Sequence, residues 1–259
     1  MRAVGAHADV VVATSRIWQT TCTAVRAGSE AFVIDSPVLP DELELLAPML
    51  EQAGFPVVGL LCTHADWDHL LARMAFPSAP LGCAETTAAR LTGEPGAPQR
   101  ELRDWDERHY VGRPRPLALG QLQALPVPGR CGVGDRELEL LPADGHTADG
   151  MALWVPWARV LVCGDYLSPV EIPSVSPQGS IDAYRATLGR LEPLIEAADA
   201  VVPGHGTVLD REAAQRLLVE DLAYLEALGQ RGAQAPLPAG RRSAEQRRIH
   251  GENARRLGA

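Results

Sequence analysis

The sequence contains no lysine, and all 24 of its basic residues are arginines. This absence excludes the P-loop that binds nucleotide phosphates, Schiff-base enzymes and any site with a lysine general base. Compositional drift is a simpler explanation for the missing lysine than a functional one. The 33 acidic residues give a formal net charge of −9. Because nucleic-acid-binding proteins usually carry a basic surface, we expect no nucleic-acid partner.

Long apolar segments are also missing. The longest runs, such as 10–13 and 160–163, are far shorter than the roughly 20 residues that a bilayer span requires. No basic stretch followed by an apolar stretch opens the chain, as it does in secretory signals. We therefore expect a cytoplasmic protein without a membrane partner. A hydrophobic content of 46% and a charged content of 22% are typical of a globular domain.

The five cysteines show none of the close pairs that bind zinc through thiolates. Their number is odd and they are widely scattered, so a disulfide framework is not indicated either. We expect them to be reduced and mostly buried, as small apolar residues are. They are Cys22, Cys62, Cys83, Cys131 and Cys163.

Strand-like and helix-like segments occur in two rounds along the chain. In the first round, β-rich runs lie between residues 8 and 37, a helix begins at Asp41, and a buried strand covers 57–62. In the second round, strands between 137 and 163 precede a helix that Ser180 caps. This duplication predicts a layered α/β fold with two packed β-sheets and helices on both outer faces.

Two parts of the chain fit this pattern less clearly. Residues 93–136 are rich in proline, glycine, arginine and glutamine, and we interpret them as a lid, an inserted segment or an oligomer contact. Residues 210–259 are expected to form C-terminal helices, of which the last is rich in arginine. That helix is interpreted as a solvated face, with a subunit contact or an anionic substrate as the alternative. We assign both parts to a single domain over residues 1–259 and leave a homo-oligomer open.

Histidine and aspartate residues cluster where the predicted strands end. The hexapeptide His64-Ala-Asp-Trp-Asp-His69 taken alone could be a polar loop, but three later positions after strands favour a shared site. Imidazole and carboxylate groups bind zinc, manganese and iron, and a catalytic metal site needs several of them converging. The candidate ligands are His64, Asp66, Asp68, His69, His146, Asp165 and His205.

These motifs resemble the metallo-β-lactamase superfamily. Its pattern is His-x-His-x-Asp-His, then Gly-His-Thr, a Gly-Asp after a strand, and a later Gly-His. The same elements stand here in the same order at residues 64–69, 145–147, 164–165 and 203–206. The resemblance covers about residues 8–210. It implies a four-layer αββα sandwich with metals at one edge of the two sheets.

The resemblance also implies a site for two divalent metal ions, zinc or iron and manganese. The ligands that it implies for the first metal are His64, Asp66 and His146. Those for the second metal are Asp68, His69 and His205, with Asp165 bridging the two ions.

Position 66 departs from the family pattern, because most members have histidine there and this chain has Asp66. A carboxylate at this position is similar to the flavodiiron branch, whose motif has glutamate and whose metals are iron. Aspartate is one methylene shorter than that glutamate. Two outcomes are therefore open: a rearranged dinuclear site, or a first metal site that is weak and often empty. A third carboxylate also cancels the net positive charge left by two divalent ions, two aspartates and a hydroxide. We therefore expect a shift of metal preference from zinc towards iron or manganese.

The resemblance implies hydrolysis of an ester, thioester or lactone bond in a small molecule, with a metal-bound hydroxide as the nucleophile. Asp68 and Asp165 are the catalytic candidates, the first for proton transfer and the second as the bridge between the metals. A diiron-type redox enzyme acting on oxygen, nitric oxide or a persulfide is the first alternative, and Asp66 favours it. A non-catalytic metal-binding relative is the second.

Other residues near the motifs are candidates for substrate contacts or for supporting the ligands. Trp67 either points into the pocket or packs on the first helical turn, and Tyr166 either contacts a substrate oxygen or belongs to the core. His250 would reach the site if the last helix folds back over it, and is otherwise a surface histidine. Asp35 and Thr63 are candidate partners of the ligating histidines.

Overall fold

The computed structural model describes residues 1–257 and contains twelve strands and seven α-helices in that range. The strands are β1 (Arg2–His7), β2 (Val10–Thr14), β3 (Thr21–Ala27), β4 (Glu30–Asp35), β5 (Val57–Leu61), β6 (Leu81–Ala84), β7 (Leu122–Leu125), β8 (Gly129–Val133), β9 (Arg136–Pro142), β10 (Met151–Val155), β11 (Val160–Val162) and β12 (Ala200–Val202). The helices are α1 (Pro40–Gln52), α2 (Ala72–Ala75), α3 (Glu85–Gly93), α4 (Ala97–His109), α5 (Ile181–Ala197), α6 (Arg211–Arg231) and α7 (Ala244–Leu257). Two short 3₁₀ helices cover Trp67–His69 and Gly232–Gln234.

The strands form two sheets. The first has seven strands in the order β1 to β7, and the second has five in the order β12-β11-β10-β9-β8. Strands β1 to β4 are antiparallel neighbours, whereas β4 to β7 run parallel because helices connect them. In the second sheet β8 to β11 are antiparallel, and β12 lies parallel to β11 after the crossover through α5. The parallel strands therefore end at one edge of each sheet.

Three apolar layers hold the sandwich together. Between the sheets, side chains such as Val12 and Val25 of the first sheet and Leu153 and Val160 of the second are fully buried. The outer face of the first sheet packs against α1 to α4, and the outer face of the second packs against α5 to α7. The layers follow the order helix, sheet, sheet, helix. This arrangement confirms the predicted αββα sandwich.

Three strands, β1, β7 and β8, were not predicted from the sequence. All three lie at sheet edges, and most of their side chains are exposed or half-buried. They therefore lack the apolar alternation by which a strand is recognised in a sequence. Together with α4, strands β7 and β8 account for much of residues 93–136, which gives each sheet one edge strand. A role of this segment as a lid or an oligomer contact stays a prediction.

The loops that follow β5, β9, β11 and β12 meet at one edge of the sandwich, where they bring the candidate ligands together. The ends of neighbouring strands are a common place for sites in layered α/β folds, because loops there converge on a rigid scaffold. Within residues 1–257, no helix combines the length and apolar character needed to cross a membrane.

Candidate metal centre

One cluster of ligand atoms joins the loop after β5 to the loop after β9. Asp66 Oδ2 lies 3.6 Å from His64 Nε2 and 3.4 Å from His146 Nε2. His64 is buried, whereas the Asp66 side chain is 29% exposed. Aspartate therefore reaches the same point as the two imidazoles, although it is shorter than the glutamate of the flavodiiron motif.

A second cluster joins the 3₁₀ helix at Trp67–His69 to the loop after β12. Asp68 Oδ2 lies 3.6 Å from both His69 Nε2 and His205 Nε2. The His69 side chain is fully buried, and those of Asp68 and His205 are only 11% and 6% exposed. This second cluster is thus more enclosed than the first.

Asp165, in the loop three residues after β11, lies between the two clusters. Its Oδ1 is 3.2 Å from His69 Nε2, and its Oδ2 is 3.3 Å from His146 Nε2 and 3.4 Å from His205 Nε2. The same Oδ2 lies 3.8 Å from His64 Nε2. One carboxylate therefore faces imidazoles of both clusters.

The outer ring nitrogens of His64 and His69 face a pair of polar residues from the first sheet. Thr63 Oγ1 donates its only proton to Asp35 Oδ2 (2.9 Å), so it accepts from His64 Nδ1 (3.0 Å). Asp35 Oδ2 also lies 3.0 Å from His69 Nδ1, and Asp35 Oδ1 accepts the Thr63 backbone N–H at 2.7 Å. Thr63 is thus a hydrogen-bond partner of His64, whereas Asp35 lies at ion-pair distance from His69 Nδ1 without a hydrogen bond of suitable geometry.

The other two histidines donate to backbone carbonyls. His146 Nδ1 donates to the Ser174 carbonyl at 2.7 Å, and His205 Nδ1 donates to the Trp18 carbonyl at 3.2 Å. A carbonyl oxygen only accepts, so both rings carry their proton on Nδ1. Nε2, the ring atom that faces Asp165, is then the nitrogen that can bind a metal once its own proton is displaced. Such outer partners fix the orientation of metal-binding histidines.

The unsatisfied atoms of the site fit the binding of divalent metal. Within residues 1–257, the Nε2 atoms of His64, His69 and His146 and Oδ1 of Asp165 are buried without a hydrogen-bond partner. Buried polar atoms are rarely left in that state. Ligand atoms about 2.0–2.1 Å from a tetrahedral zinc ion are about 3.4 Å apart, close to the distances within both clusters. The His and Asp clusters thus support a divalent metal site, and the imidazole and carboxylate set suits zinc, iron or manganese.

Charges within the site shift the protonation of its members. Burial acts to lower the pKa of His146, but Asp165 and Asp66 raise it to about 9. Burial likewise opposes the charged form of His205, whose pKa Asp165 and Glu171 raise to about 10. Burial acts to raise the pKa of Asp165, but the facing histidines hold it well below its usual range. Metal ions that bind at neutral pH therefore have to displace protons from the imidazoles.

Two residues beside the first cluster, Arg90 and Asp149, were not predicted from the sequence. Arg90 of α3 donates from Nη2 to Asp66 Oδ1 (2.8 Å) and from Nη1 to Asp149 Oδ1 (2.9 Å). Asp149 Oδ2 in turn accepts the backbone N–H of Ala65 at 3.0 Å. The position of Asp149, three residues after His146 in a glycine-flanked turn, was a usable sign. Arg90 offered none, because nothing in its sequence context separates it from the other arginines.

Trp67 packs in an aromatic cluster at the rim of the site. Its ring centroid lies 5.6 Å from that of Trp18 and 5.4 Å from that of Trp105, and only 8% of the residue is exposed. The packing alternative for Trp67 is therefore the one observed. Trp18, at 39% exposure, presents the open face of this cluster.

Neither Tyr166 nor His250 is placed to contact a substrate at the site. The Tyr166 hydroxyl donates to the Asp144 carbonyl (2.8 Å) and accepts the His146 backbone N–H (3.2 Å), so this buried tyrosine supports a ligand. His250 points away from the site, because its Nδ1 is 3.0 Å from the Tyr224 hydroxyl of α6. Helix α7 does fold back, but a contact between His250 and the site is not formed.

The sequence and the fold match known proteins. The model of the metallo-β-lactamase superfamily matches residues 16–205. A metallo-β-lactamase family protein from Thermus thermophilus is 20% identical, with a TM-score of 0.69 over 96% of this chain and 91% of that one. A β-lactamase domain protein from Burkholderia ambifaria is also 20% identical, with a TM-score of 0.69 over 98% and 87%. TTHA1623 in a di-iron-bound form is 22% identical, with a TM-score of 0.60 over 80% and 97%.

Proposed function

Because the chain belongs to the metallo-β-lactamase superfamily, we propose that it is a metal-dependent hydrolase of an ester, thioester or lactone bond in a small molecule. The observation that carries the proposal is the position of Asp165, whose carboxylate lies within 3.8 Å of Nε2 of all four histidines. A carboxylate shared by two ligand clusters fits a pair of metal ions on one substrate bond. Membership of the superfamily supports this metal-dependent, hydrolase-type function.

Different residues of the site have different roles in such a hydrolysis. The two ligand clusters would hold metal ions, which when bound would supply Lewis acidity and a water of lowered pKa. Asp165 keeps the clusters at a fixed separation, while the Nδ1 partners of the histidines keep the Nε2 lone pairs directed inward. Asp68 holds Oδ2 between His69 and His205, and we assign to its carboxylate the proton that the leaving group takes up.

The surroundings of the centre favour an apolar, uncharged or weakly charged substrate. The exposed face of Trp18 continues the cluster with Trp67 and Trp105, and such aromatic faces bind apolar groups. The chain has no lysine and a net charge of −9, which disfavours polyanions such as RNA. An acyl ester or lactone with an apolar chain is therefore our first choice of substrate class.

The test combines metal quantification with a panel of esters, thioesters and lactones. Wild type and Asp66→His are prepared with zinc, manganese or iron, and Asp68→Asn serves as the variant without the proton-transfer carboxylate. We expect turnover by the wild type, turnover that rises with zinc in Asp66→His, and loss of turnover in Asp68→Asn, whose metal content is measured in parallel because Asp68 is also a ligand of the second cluster. A folded, metal-loaded wild type that turns over no member of the panel would overturn the proposal in favour of a non-catalytic metal-binding protein.

A diiron-type redox enzyme is the second candidate, and Asp66 is the observation that favours it. With His64 and His146 it forms a set of two imidazoles and one carboxylate, a combination typical of non-haem iron. TTHA1623, whose fold is similar, has been seen in a di-iron-bound form. Oxygen, nitric oxide or persulfide consumption by the iron-loaded wild type, with an external reductant, would support this candidate. Stoichiometric zinc in both sites of protein prepared with mixed metals would count against it.

A further inference from the structure

Asp66 differs from the histidine ligands in having two equivalent ligand atoms. An imidazole whose Nδ1 is protonated can bind a metal through Nε2 alone, whereas a carboxylate can bind through either oxygen or both. Oδ2 of Asp66 faces His64 and His146, at 3.6 and 3.4 Å. The position of the other oxygen therefore decides how Asp66 acts as a ligand.

That other oxygen is occupied by Arg90. The guanidinium donates from Nη2 to Asp66 Oδ1 at 2.8 Å, and the side chains involved are 22% and 29% exposed. A solitary ion pair of this exposure contributes little to stability. Arg90 is not a solitary partner, however, because its second arm is bound elsewhere.

The second arm of Arg90 ties the pair to the buried Asp149. Nη1 donates to Asp149 Oδ1 at 2.9 Å, and only 2% of the Asp149 side chain is exposed. Asp149 Oδ2 accepts the Ala65 backbone N–H at 3.0 Å, one residue before Asp66. The metal-binding loop is therefore held twice, through the backbone of Ala65 and through the side chain of Asp66. A planar guanidinium with a fork of donors is suited to this geometry, whereas an ammonium group is not.

The contact between Arg90 and Asp66 corresponds to the contacts that orient the four histidine ligands. Each of their outer nitrogens faces a partner: Thr63 for His64, Asp35 for His69, a carbonyl for His146 and another for His205. Arg90 stands in the corresponding place behind Asp66, with a positive charge where a carboxylate ligand needs one.

We propose that Arg90 is a positioning residue of the first metal: it occupies Oδ1 of Asp66 so that Oδ2 alone completes the ligand set with His64 and His146. The role depends on the proposed metal centre and not on any particular reaction. Arg90 is then needed only because position 66 is an aspartate. Asp66 and Arg90 together replace the histidine that most members of the family have at this position.

The test is a double-substitution cycle with Arg90→Met, Asp66→His and the double variant. The metal-free proteins are titrated with zinc and with manganese in competition with a chromophoric chelator, which gives a dissociation constant for each site. We expect Arg90→Met to weaken the first site about 10- to 100-fold while the second site stays unchanged, as for other partners of metal ligands. In the Asp66→His background the same change should cost much less, because the imidazole has no second oxygen to occupy and only the link through Asp149 is lost.

Two further variants separate this role from folding and from charge. Arg103→Met removes an exposed arginine from the neighbouring α4 and should leave both constants unchanged. Arg90→Lys keeps the charge without the fork and should recover only part of the affinity. If Arg90→Met unfolds, Arg90→Lys in the wild-type and Asp66→His backgrounds carries the comparison, with thermal unfolding recorded for each.

If Arg90→Met lowered the affinity of the first metal site equally in the wild-type and Asp66→His backgrounds, the proposal would be overturned. Arg90 would then only connect the loops and would not position Asp66. Unchanged first-site affinity in Arg90→Met would overturn it as well. Neither result touches the hydrolase proposal, which is tested by turnover. Conversely, a protein without turnover can still show the predicted dependence of metal affinity on Arg90.

Discussion

The two halves of the sandwich hold their ligands in different ways. The ligands of the first half, between His64 and His69, are supported by side chains of the same half. Asp35 at the end of β4 and Thr63 after β5 form the polar pair behind the imidazoles, and Arg90 of α3 holds Asp66. These supports stand on strands and a helix that are packed in the first core.

The ligands of the second half depend on a loop. Ser174 accepts from His146 Nδ1, and Ser168 Oγ donates to the backbone carbonyl of His205 at 2.8 Å. Both serines lie between β11 and α5, a stretch with no regular secondary structure up to residue 180. Such a stretch needs support from elsewhere to hold two ligands in place.

That support comes from the C-terminal residues. Asn253 of α7 accepts the Val175 N–H (2.9 Å) and donates to the Pro173 carbonyl (2.7 Å), on either side of Ser174. Arg241 donates to the Ser168 carbonyl at 3.2 Å and forms a buried ion pair with Asp221 at 2.6 Å. The comparison teaches that residues beyond 205, where the match to the family model ends, complete half of the metal centre.

The largest effect is expected from Arg241→Met, which leaves the buried Asp221 without its partner. Breaking a buried ion pair from one side costs about 3–5 kcal/mol, so the free energy of unfolding in urea should fall by that order. Burial raises the pKa of Asp221 to about 7 even beside Arg241. The unpaired carboxyl is protonated in the folded state and ionised in the unfolded chain, so the difference from wild type should grow above pH 7.

The neighbouring Arg242→Met, at an exposed position, is the matched control for Arg241→Met. A loss in Arg241→Met no larger than in this control would show that the loop does not depend on the ion pair. The comparison of the two halves would then lose its main support.

A smaller effect is expected from Asp35→Asn, which tests the first half. Asp35 has a φ of +58°, a conformation that asparagine tolerates, so the backbone is preserved. Because Asp35 serves His69 directly and His64 through Thr63, both metal sites should weaken, each by about 10- to 100-fold. Chelator competition measures this, with the exposed Asp104→Asn as control. Weakening of only one site would mean that the polar pair does not couple the clusters.

The smallest effect is expected from Asn253→Ala. Loss of the amide frees the backbone on both sides of Ser174, so the His146 ring is less well oriented and the first metal should bind several-fold more weakly. The second site, whose histidines do not contact Ser174, should keep its affinity. Exposed Arg255→Ala on the same helix is the control. Equal weakening of both sites would assign Asn253 to general stability instead.

The sequence allowed prediction of features that short-range patterns determine. The helix caps are examples: Ser180, the predicted cap of α5, accepts the Ala183 N–H at 3.4 Å, and Asp210 accepts the Ala213 N–H at 2.8 Å in the same way. The seven candidate ligands lie together because each follows a recognisable strand. Arg90 and Asn253 could not be predicted, since their partners are 24 and 78 residues away and only the fold brings them near. The two alternatives for His250 stayed open for the same reason, because the face of α7 directed to the site is set by packing against α6.

The aromatic cluster at the rim gives the protein an optical reporter of its own. Trp67 lies between two candidate ligands, and the backbone carbonyl of Trp18 accepts from the ring of His205. Indole emission depends on nearby charge and on solvent contact, and both change when cations replace protons on the imidazoles. Intrinsic fluorescence should therefore follow occupancy of the centre in real time, without a dye and without a known substrate.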